Sequence, residues 1–340
     1  MSPAVEYLDD PPSPILQSEE GQEKHGAATT SAFKPAIATE TVSCPICKST
    51  DFHPVCESGD YEYSLPGKFF VVRCKSCNLF LQNPRPPFPE ILRYYTEKYE
   101  PFRKVGSNLV QRLRNYVLGR HRTNLYRKLV APHGSIVDVG CATGALLRDL
   151  KEHGTWQLTG VEPVPEVAEM ARSTGLNVVT GVLEEANLPS SAFDLAIMNH
   201  VLEHVPDPGL VVRHVVRILK PGGRFTGEIP APVCLERILF DKYWGGYHLP
   251  RHLTFFGPSQ IKRFLENHGF EEVKTTGCIQ PSNWLLSFTN YLKATNSPLI
   301  QKGWFSPHNF LLLALSTPFA ILLGFLGLCP IIRFSARKPE

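Results

Sequence analysis

Between residues 133 and 280 short apolar runs alternate with amphipathic stretches, and the alternation predicts a parallel α/β sheet. Ile136, Val137 and Val139 form the first buried strand, and Ala145 to Leu147 open a helix. Leu158 to Glu162 is a second strand, Val164 to Ser173 a helix, and Asn177 to Val182 a short strand. Phe193 to Met198, a helix over Gly209 to Leu219, the turn Lys220-Pro221-Gly222-Gly223 and the strand Arg224 to Ile229 complete the pattern. Outside it the texture changes. Residues 1–41 are rich in Pro, Ser, Glu and Ala and are predicted to be disordered, because they cannot bury enough apolar surface to offset their ordering entropy. A cysteine module spans 42–85 and a Tyr-rich helical connector 86–132. The nucleotide-binding core of 133–280 is followed by an apolar helical insertion, 281–329, and a final strand, 330–340.

The first strand meets an acid and then a glycine turn, Ile136-Val-Asp-Val-Gly-Cys-Ala-Thr-Gly144. Gly140 and Gly144 let the chain turn sharply against a ligand, and Ala142 stands between them. Asp138 decides the ligand's charge. A dinucleotide pyrophosphate requires N–H groups with no carboxylate close by, whereas the ammonium and sulfonium of S-adenosylmethionine (SAM) are cations. Glu162, at the end of the second strand, stands where an acid accepts hydrogen bonds from ribose hydroxyls. Position 145 is alanine, where a dinucleotide loop carries its third glycine.

These residues, the strand order and the Lys-Pro-Gly-Gly turn resemble class I SAM-dependent methyltransferases. The resemblance implies a Rossmann-like sheet, mostly parallel with its last strand antiparallel. It also implies SAM held by Asp138, Gly140, Ala142, Gly144, Glu162 and Asn199. Where the usual loop has its middle glycine this chain has Ala142.

Cys44-Pro-Ile-Cys47 and Cys74-Lys-Ser-Cys77 are two CxxC knuckles separated by a hairpin-length segment, with strands expected at Tyr61 to Leu65 and Phe69 to Arg73. Four thiolates at this spacing make a closed, structural zinc site, so the module is expected to be a zinc ribbon. With Leu79 to Pro86 and the Tyr94-Tyr95 pair, it resembles the front end of bacterial-type small-molecule methyltransferases, including sugar C-methyltransferases.

Asn199-His200-Val201-Leu202-Glu203-His204 leaves the fourth strand at its carboxyl end, where open parallel sheets bind ligands. This segment resembles ubiquinone-pathway O-methyltransferases and, more distantly, small-RNA terminal 2′-O-methyltransferases. In those relatives a Glu-x-x-Glu-His pattern carries a divalent metal; here His200 replaces the first glutamate. His200, Glu203 and His204 are expected to converge as general base, as metal ligands or as scaffolding. The segment Tyr243 to Phe256 looks like the family's acceptor-side signature. It reads as a lid whose His252 joins His204 and Glu203, and whose Arg251 meets either an anionic acceptor or its own loop.

Phe310 to Leu328 is uncharged and reaches membrane-spanning length, with Pro318 and Gly324 interrupting it. Ile331 to Pro339 resembles the last, antiparallel strand of the class I sheet, so a single pass would strand it. The expectation is an in-plane apolar hairpin at a membrane surface, with Trp284, Lys302, Trp304 and Arg333 as anchors; a buried cap or a homodimer contact is the alternative.

Composition adds the compartment. A net charge of +3 without a long basic cluster gives no nucleic-acid footprint. Glu6, Asp9, Asp10, Glu19 and Glu20 argue against a secretory or transit segment, and nine cysteines partly in CxxC pairs fit a reducing compartment. The whole reads as a cytosolic, peripherally membrane-associated SAM-dependent methyltransferase acting on a hydroxyl of a small, lipid-like molecule. C-methylation of a nucleotide-linked sugar is the alternative, with an RNA methyltransferase or a non-catalytic SAM-fold scaffold beyond it.

Overall fold

The computed structural model describes residues 38–95, 119–120, 122–301 and 309–340. Most of the predicted disordered segment, much of the helical connector, and Lys302 and Trp304 lie outside them.

A seven-stranded sheet forms the core. Its strands are β4 (Ser135–Val139), β5 (Gln157–Glu162), β6 (Val178–Thr180), β7 (Phe193–Asn199), β8 (Leu219–Pro230), β10 (Glu271–Cys278) and β11 (Ile331–Arg337), in the order β10-β11-β8-β7-β4-β5-β6. β4 runs parallel to β5 and β7, β5 to β6, and β7 to β8; β11 is antiparallel to both β8 and β10. This is the predicted Rossmann-like sheet with its antiparallel last strand. Helices α1 (Ala145–His153), α2 (Pro165–Arg172) and α3 (Pro208–Ile218) make the crossovers, each with an apolar face on the sheet, as Leu147 and Leu150 of α1 illustrate. The Lys-Pro-Gly-Gly turn does not precede the fifth core strand as expected. β8 starts at Leu219 and the four residues loop out within it, since Phe193 pairs with Leu219 and Leu195 with Arg224.

The strand order reverses between β4 and β7, which opens a crevice at their carboxyl ends. Both the glycine turn and the histidine turn leave from that point.

The cysteine module is a second sheet of β1 (Phe52–Ser58), β2 (Phe69–Cys74), β3 (Phe80–Gln82) and β9 (Thr254–Phe255), antiparallel throughout. The hairpin's first strand is therefore β1 and not Tyr61 to Leu65. Those residues form the turn before β2, which projects Tyr61, Glu62 and Tyr63 away from the ladder. The fourth strand comes from the catalytic half of the sequence, with Phe80 opposite Phe255 and Leu81 opposite Thr254. Phe69, Val71, Phe80 and Tyr94 bury against Trp244, Tyr247, Leu249 and Phe255 in one aromatic cluster. Cys44, Cys77 and Leu79 join the main core beside Phe256 and Ile261. Arg85 donates to the Pro206 carbonyl at 3.2 Å, and Gln260, on α5 (Pro258–Glu266), donates to that of Cys77 at 3.0 Å. Ribbon and core thus share packing instead of being joined by a linker. At Glu40, inside the segment expected to be disordered, a backbone bridge and a salt bridge reach Arg85.

The apolar insertion is α6 (Pro281–Ala294) followed by α7 (Phe310–Phe325). At 1.5 Å per residue α7 is about 24 Å long, short of a hydrocarbon core of about 30 Å. Among the described residues no helix is long and apolar enough to cross a membrane. Ala320 and Leu323 are buried, but Leu311, Leu315, Phe319, Leu322, Phe325 and Leu326 are exposed. A short helix α4 (Leu235–Phe240) adds exposed Ile238 and Leu239, and Trp284 bridges the two surfaces, 5.8 Å from Phe240 and 4.9 Å from Phe319 between ring centres. Arg333 is no interfacial anchor: on β11 it donates from Nε to Glu228 at 3.1 Å.

Candidate active site

The glycine turn leaves β4 with Gly140 at φ +73° and Gly144 at φ +76°. A Cβ on Gly140 would stand 2.5 Å from Val201 Cγ2, so the cofactor turn packs directly on the histidine turn. Ala142 sits between the glycines at φ +46°, in the left-handed region where alanine is strained. Glu162 holds the turn shut, accepting the Ala142 N–H at 2.9 Å on one oxygen and the Val164 N–H at 3.1 Å on the other.

Asp138 and Glu162 are both buried. Burial, reinforced by the charge of Glu162, pushes Asp138 up to about 7, and burial raises Glu162 as well. Two buried acids thus lie side by side beneath the glycine turn. Asn199, at the end of β7, donates from Nδ2 to the Tyr126 hydroxyl at 3.1 Å.

The histidine turn begins with His200 at φ +55°, whose backbone N–H donates to the Glu228 carbonyl at 2.8 Å. Its ring Nδ1 lies 3.2 Å from Glu203 Oε1, while its side chain stays 42% exposed at the rim. Glu203 is fully buried and its Oε2 has no hydrogen-bond partner. Ligand atoms of Glu203, His204 and His252 lie within 4.8 Å of one another. His200 is outside that group, so the expected set of four comes together as a triad with His200 beside it.

The tautomers follow from the partners. His204 Nδ1 lies 3.1 Å from the Arg251 carbonyl and 2.9 Å from the Tyr95 hydroxyl, and His252 Nδ1 lies 2.9 Å from the Gly246 carbonyl. A carbonyl only accepts, so each Nδ1 carries the proton and each Nε2 keeps its lone pair. His252 Nε2 stands 4.0 Å from Glu203 Oε1, and the two rings cross at a 4.5 Å centroid distance. Burial, with neighbouring histidines adding to it, holds both imidazoles well below the ordinary histidine range. The cluster therefore presents two neutral lone pairs and a carboxylate with one open oxygen. A divalent cation satisfies all three acceptors, and a hydroxyl, with its one proton, satisfies one of them.

The expected lid is no open flap. Trp244, Tyr247 and Leu249 are core residues, and Arg251 is fully buried. Arg251 does not face an acceptor, because both ends of its guanidinium are taken by Asp60. Sequence reasoning passed over Asp60, Glu62 and Tyr126. The signal for the first two was present in the acidic, aromatic run Asp60-Tyr-Glu-Tyr63, which offers counter-charges to a buried arginine.

In the ribbon, Cys44 Sγ lies 3.4 Å from Cys77 Sγ and Cys47 Sγ 3.5 Å from Cys74 Sγ, and all four lie within 4.8 Å of one another. Zinc at about 2.3 Å from each sulfur would set them about 3.8 Å apart, so the donor set fits. Burial pushes Cys44 up to about 11, whereas backbone and thiol hydrogen bonds outweigh burial at Cys74 and bring it to about 7.

Residues 109–275 match a family model described as a methyltransferase domain. A ubiquinone biosynthesis O-methyltransferase of Xanthomonas oryzae pv. oryzae is 35% identical over 147 residues, 39% of this chain and 60% of the relative. One of Idiomarina loihiensis is 25% identical over 198 residues, 54% of this chain and 75% of the relative. The chain thus spans about 60% of the length of the first curated relatives it matches. Similar solved structures include a SAM-dependent methyltransferase from Archaeoglobus fulgidus, at 20% identity, TM-score 0.45, 66% of this chain and 94% of that one. Phosphoethanolamine N-methyltransferase 2 of Haemonchus contortus in complex with SAM has 16% identity, TM-score 0.49, 85% of this chain and 68% of that one.

Proposed function

We propose, from the methyltransferase domain that residues 109–275 carry, that the chain is a SAM-dependent O-methyltransferase acting on a small, apolar molecule with a free hydroxyl. The observation that carries the reading is the meeting of two turns at the switch point: the acid-lined glycine turn packs through Gly140 on Val201, one residue from His200. SAM, when bound, supplies a methyl group already activated on a sulfonium. Asp138 and Glu162 hold its cationic and ribose portions, with Gly140, Ala142, Gly144 and Asn199 lining the approach. His204 Nε2 accepts the acceptor's hydroxyl proton; His252 Nε2 and Glu203 stand beside it as alternative acceptors, and His200 steadies Glu203. The similar O-methyltransferases of ubiquinone biosynthesis are consistent with an apolar acceptor.

The exposed stripe on α7 supports a lipid-like acceptor delivered at a membrane surface. The side-chain hydroxyls of Ser316 and Thr317 both turn back to the Leu313 carbonyl, so neither asks a hydrogen bond of whatever covers the helix. Liposome co-sedimentation should retain the wild type, while Leu315→Glu with Leu322→Glu should stay in the supernatant with SAM affinity unchanged.

Titration calorimetry with SAM and S-adenosylhomocysteine tests the cofactor; absence of binding to folded protein ends the reading. Labelled SAM with cell extract should place label in the lipid fraction rather than in sugar nucleotides or RNA. His204→Ala and His252→Ala should cut turnover about 10²-fold or more, a typical general-base contribution, with SAM affinity kept. A divalent cation at Glu203, His204 and His252 is the second reading, favoured by the open Glu203 oxygen. It predicts activity lost to EDTA at concentrations that leave the ribbon's zinc bound.

A further inference from the structure

Arg251 is anchored through four of its five N–H donors. Its Nη2 donates to Asp60 Oδ1 at 2.8 Å and Nη1 to Asp60 Oδ2 at 3.1 Å; Nη1 also reaches the Tyr94 carbonyl at 2.9 Å, and Nε donates to His248 Nε2 at 2.8 Å. The guanidinium also lies 4.6 Å over the Tyr63 ring. Both charged side chains are almost wholly buried, at 0% and 1% exposure. A buried ion pair adds little net stability, because desolvation consumes most of its attraction, but its fork geometry fixes angle and register. Apolar packing alone already docks the ribbon on the lid segment. What the pair adds is orientation.

That orientation reaches the acceptor histidines by two routes. The carbonyl of Arg251 accepts the Nδ1 proton of His204, which is what turns His204 Nε2 inward. His248, accepting from Arg251 at Nε2, must carry its proton on Nδ1, and it donates that proton to Glu62. Its ring then packs 4.9 Å from that of His252. Lys293 of α6 fixes the Glu62 backbone from behind, donating to its carbonyl at 2.5 Å.

We infer that Asp60 and Glu62 of the cysteine module are positioning residues for His204 and His252, so that the ribbon is a wall of the acceptor site and not a separate recognition module. The inference rests on the acceptor role given above to these histidines, and concerns where their rings are held.

The test is ring ¹⁵N and ¹H NMR of the full-length, zinc-loaded protein, with signals assigned from His204→Ala, His248→Ala and His252→Ala. In the wild type, His204, His248 and His252 should each show the Nδ1-protonated tautomer. Asp60→Asn should leave zinc content unchanged and SAM affinity within twofold, while the His204 and His248 signals shift or average between tautomers. A role in stability alone would lower the melting temperature and leave those signals in place, and that result overturns the inference. Should Asp60→Asn fail to fold, Glu62→Ala serves, with Glu62→Gln as the rescue: alanine should remove the acceptor of the His248 Nδ1 proton and shift the His248 and His252 ring signals, and glutamine should restore them. Unchanged ring signals in Glu62→Ala are equally fatal. Failure of the wild type to bind SAM would instead remove the proposed function, leaving the ring measurements to report on the wall itself.

Discussion

The two halves of the crevice handle buried acids in opposite ways. On the cofactor side, among the described residues, Asp138 and Glu162 have no ion pair with a side-chain cation, and the charge of Glu162 adds to the burial that raises Asp138. On the acceptor side Asp60 is paired with Arg251, and Glu62 with His248. On the proposed reading the first half is completed by the bound cofactor; the second is complete in its supports and open at one oxygen of Glu203. A buried acid left without a side-chain counter-charge points to a ligand, whereas one already paired with a cation points to scaffolding.

The largest expected effect separates the halves by removing the support of one. Cys74→Ser should abolish zinc binding, and structural zinc in such modules is worth about 10–16 kcal/mol of apparent binding energy. Because β9 is the fourth strand of the ribbon sheet, exchange of amide hydrogens should accelerate over 40–85 and 243–256 together. Protection over β4 to β7 should survive. Loss of protection across both regions would show a single cooperative unit and dissolve the comparison.

Gly140 tests the seam. At φ +73° a side chain costs about 1–2 kcal/mol in the left-handed region, and here its Cβ also meets Val201 at 2.5 Å. Gly140→Ala should therefore lower both the melting temperature and SAM affinity. Adding Val201→Ala should recover the contact part and leave the backbone part. No recovery would mean that the two turns are independent.

The pH dependence probes the unpaired acid. With Asp138 at about 7 in the folded, cofactor-free protein and 3.8 as its ordinary value, the folded state binds the extra proton. Stability without SAM should accordingly fall as pH rises from about 4 to about 7, and level off above. SAM affinity should move the other way, since the cation selects the ionised form. About a tenth of Asp138 is ionised at pH 6 and about nine tenths at pH 8, so calorimetry should find roughly tenfold tighter binding at pH 8. Asp138→Asn should weaken binding and erase that slope.

The same contrast explains what could be read from the sequence. The cofactor side is local: strand, acid, glycine turn and second acid fall within residues 136–162, and each has a pattern with a physical cause. The parallel core of the sheet followed from the alternation of strands and helices, and its antiparallel last strand from the family resemblance. The acceptor side joins Asp60 to Arg251 across 191 positions and depends on backbone carbonyls, which carry no sequence signature. His204 and His252 were legible as residue types, but their tautomers are set by the carbonyls of Arg251 and Gly246. The lid segment could be read either as a ligand cover or as a tied-down loop because its aromatic residues suit a ligand contact and a buried interface equally. The ribbon's cysteines gave its donor set, yet not that its sheet borrows a strand from the far half of the chain.

The smallest expected effect lies where the cofactor turn departs from its own pattern. Ala142 at φ +46° bears a backbone cost of about 1 kcal/mol that glycine would not. Glycine in turn makes the unfolded chain more disordered, a penalty of about 0.4–1 kcal/mol. The N–H that donates to Glu162 belongs to the backbone and survives the substitution. Ala142→Gly should thus change the urea midpoint little, with a net gain of at most about 0.5 kcal/mol. Its larger consequence should be a few-fold tighter SAM titration, because removing the methyl widens the approach to the turn. Weaker binding in Ala142→Gly would show that the methyl makes a useful contact with the cofactor. The alanine would then be a fitted part of the cofactor side rather than a strained substitute for glycine.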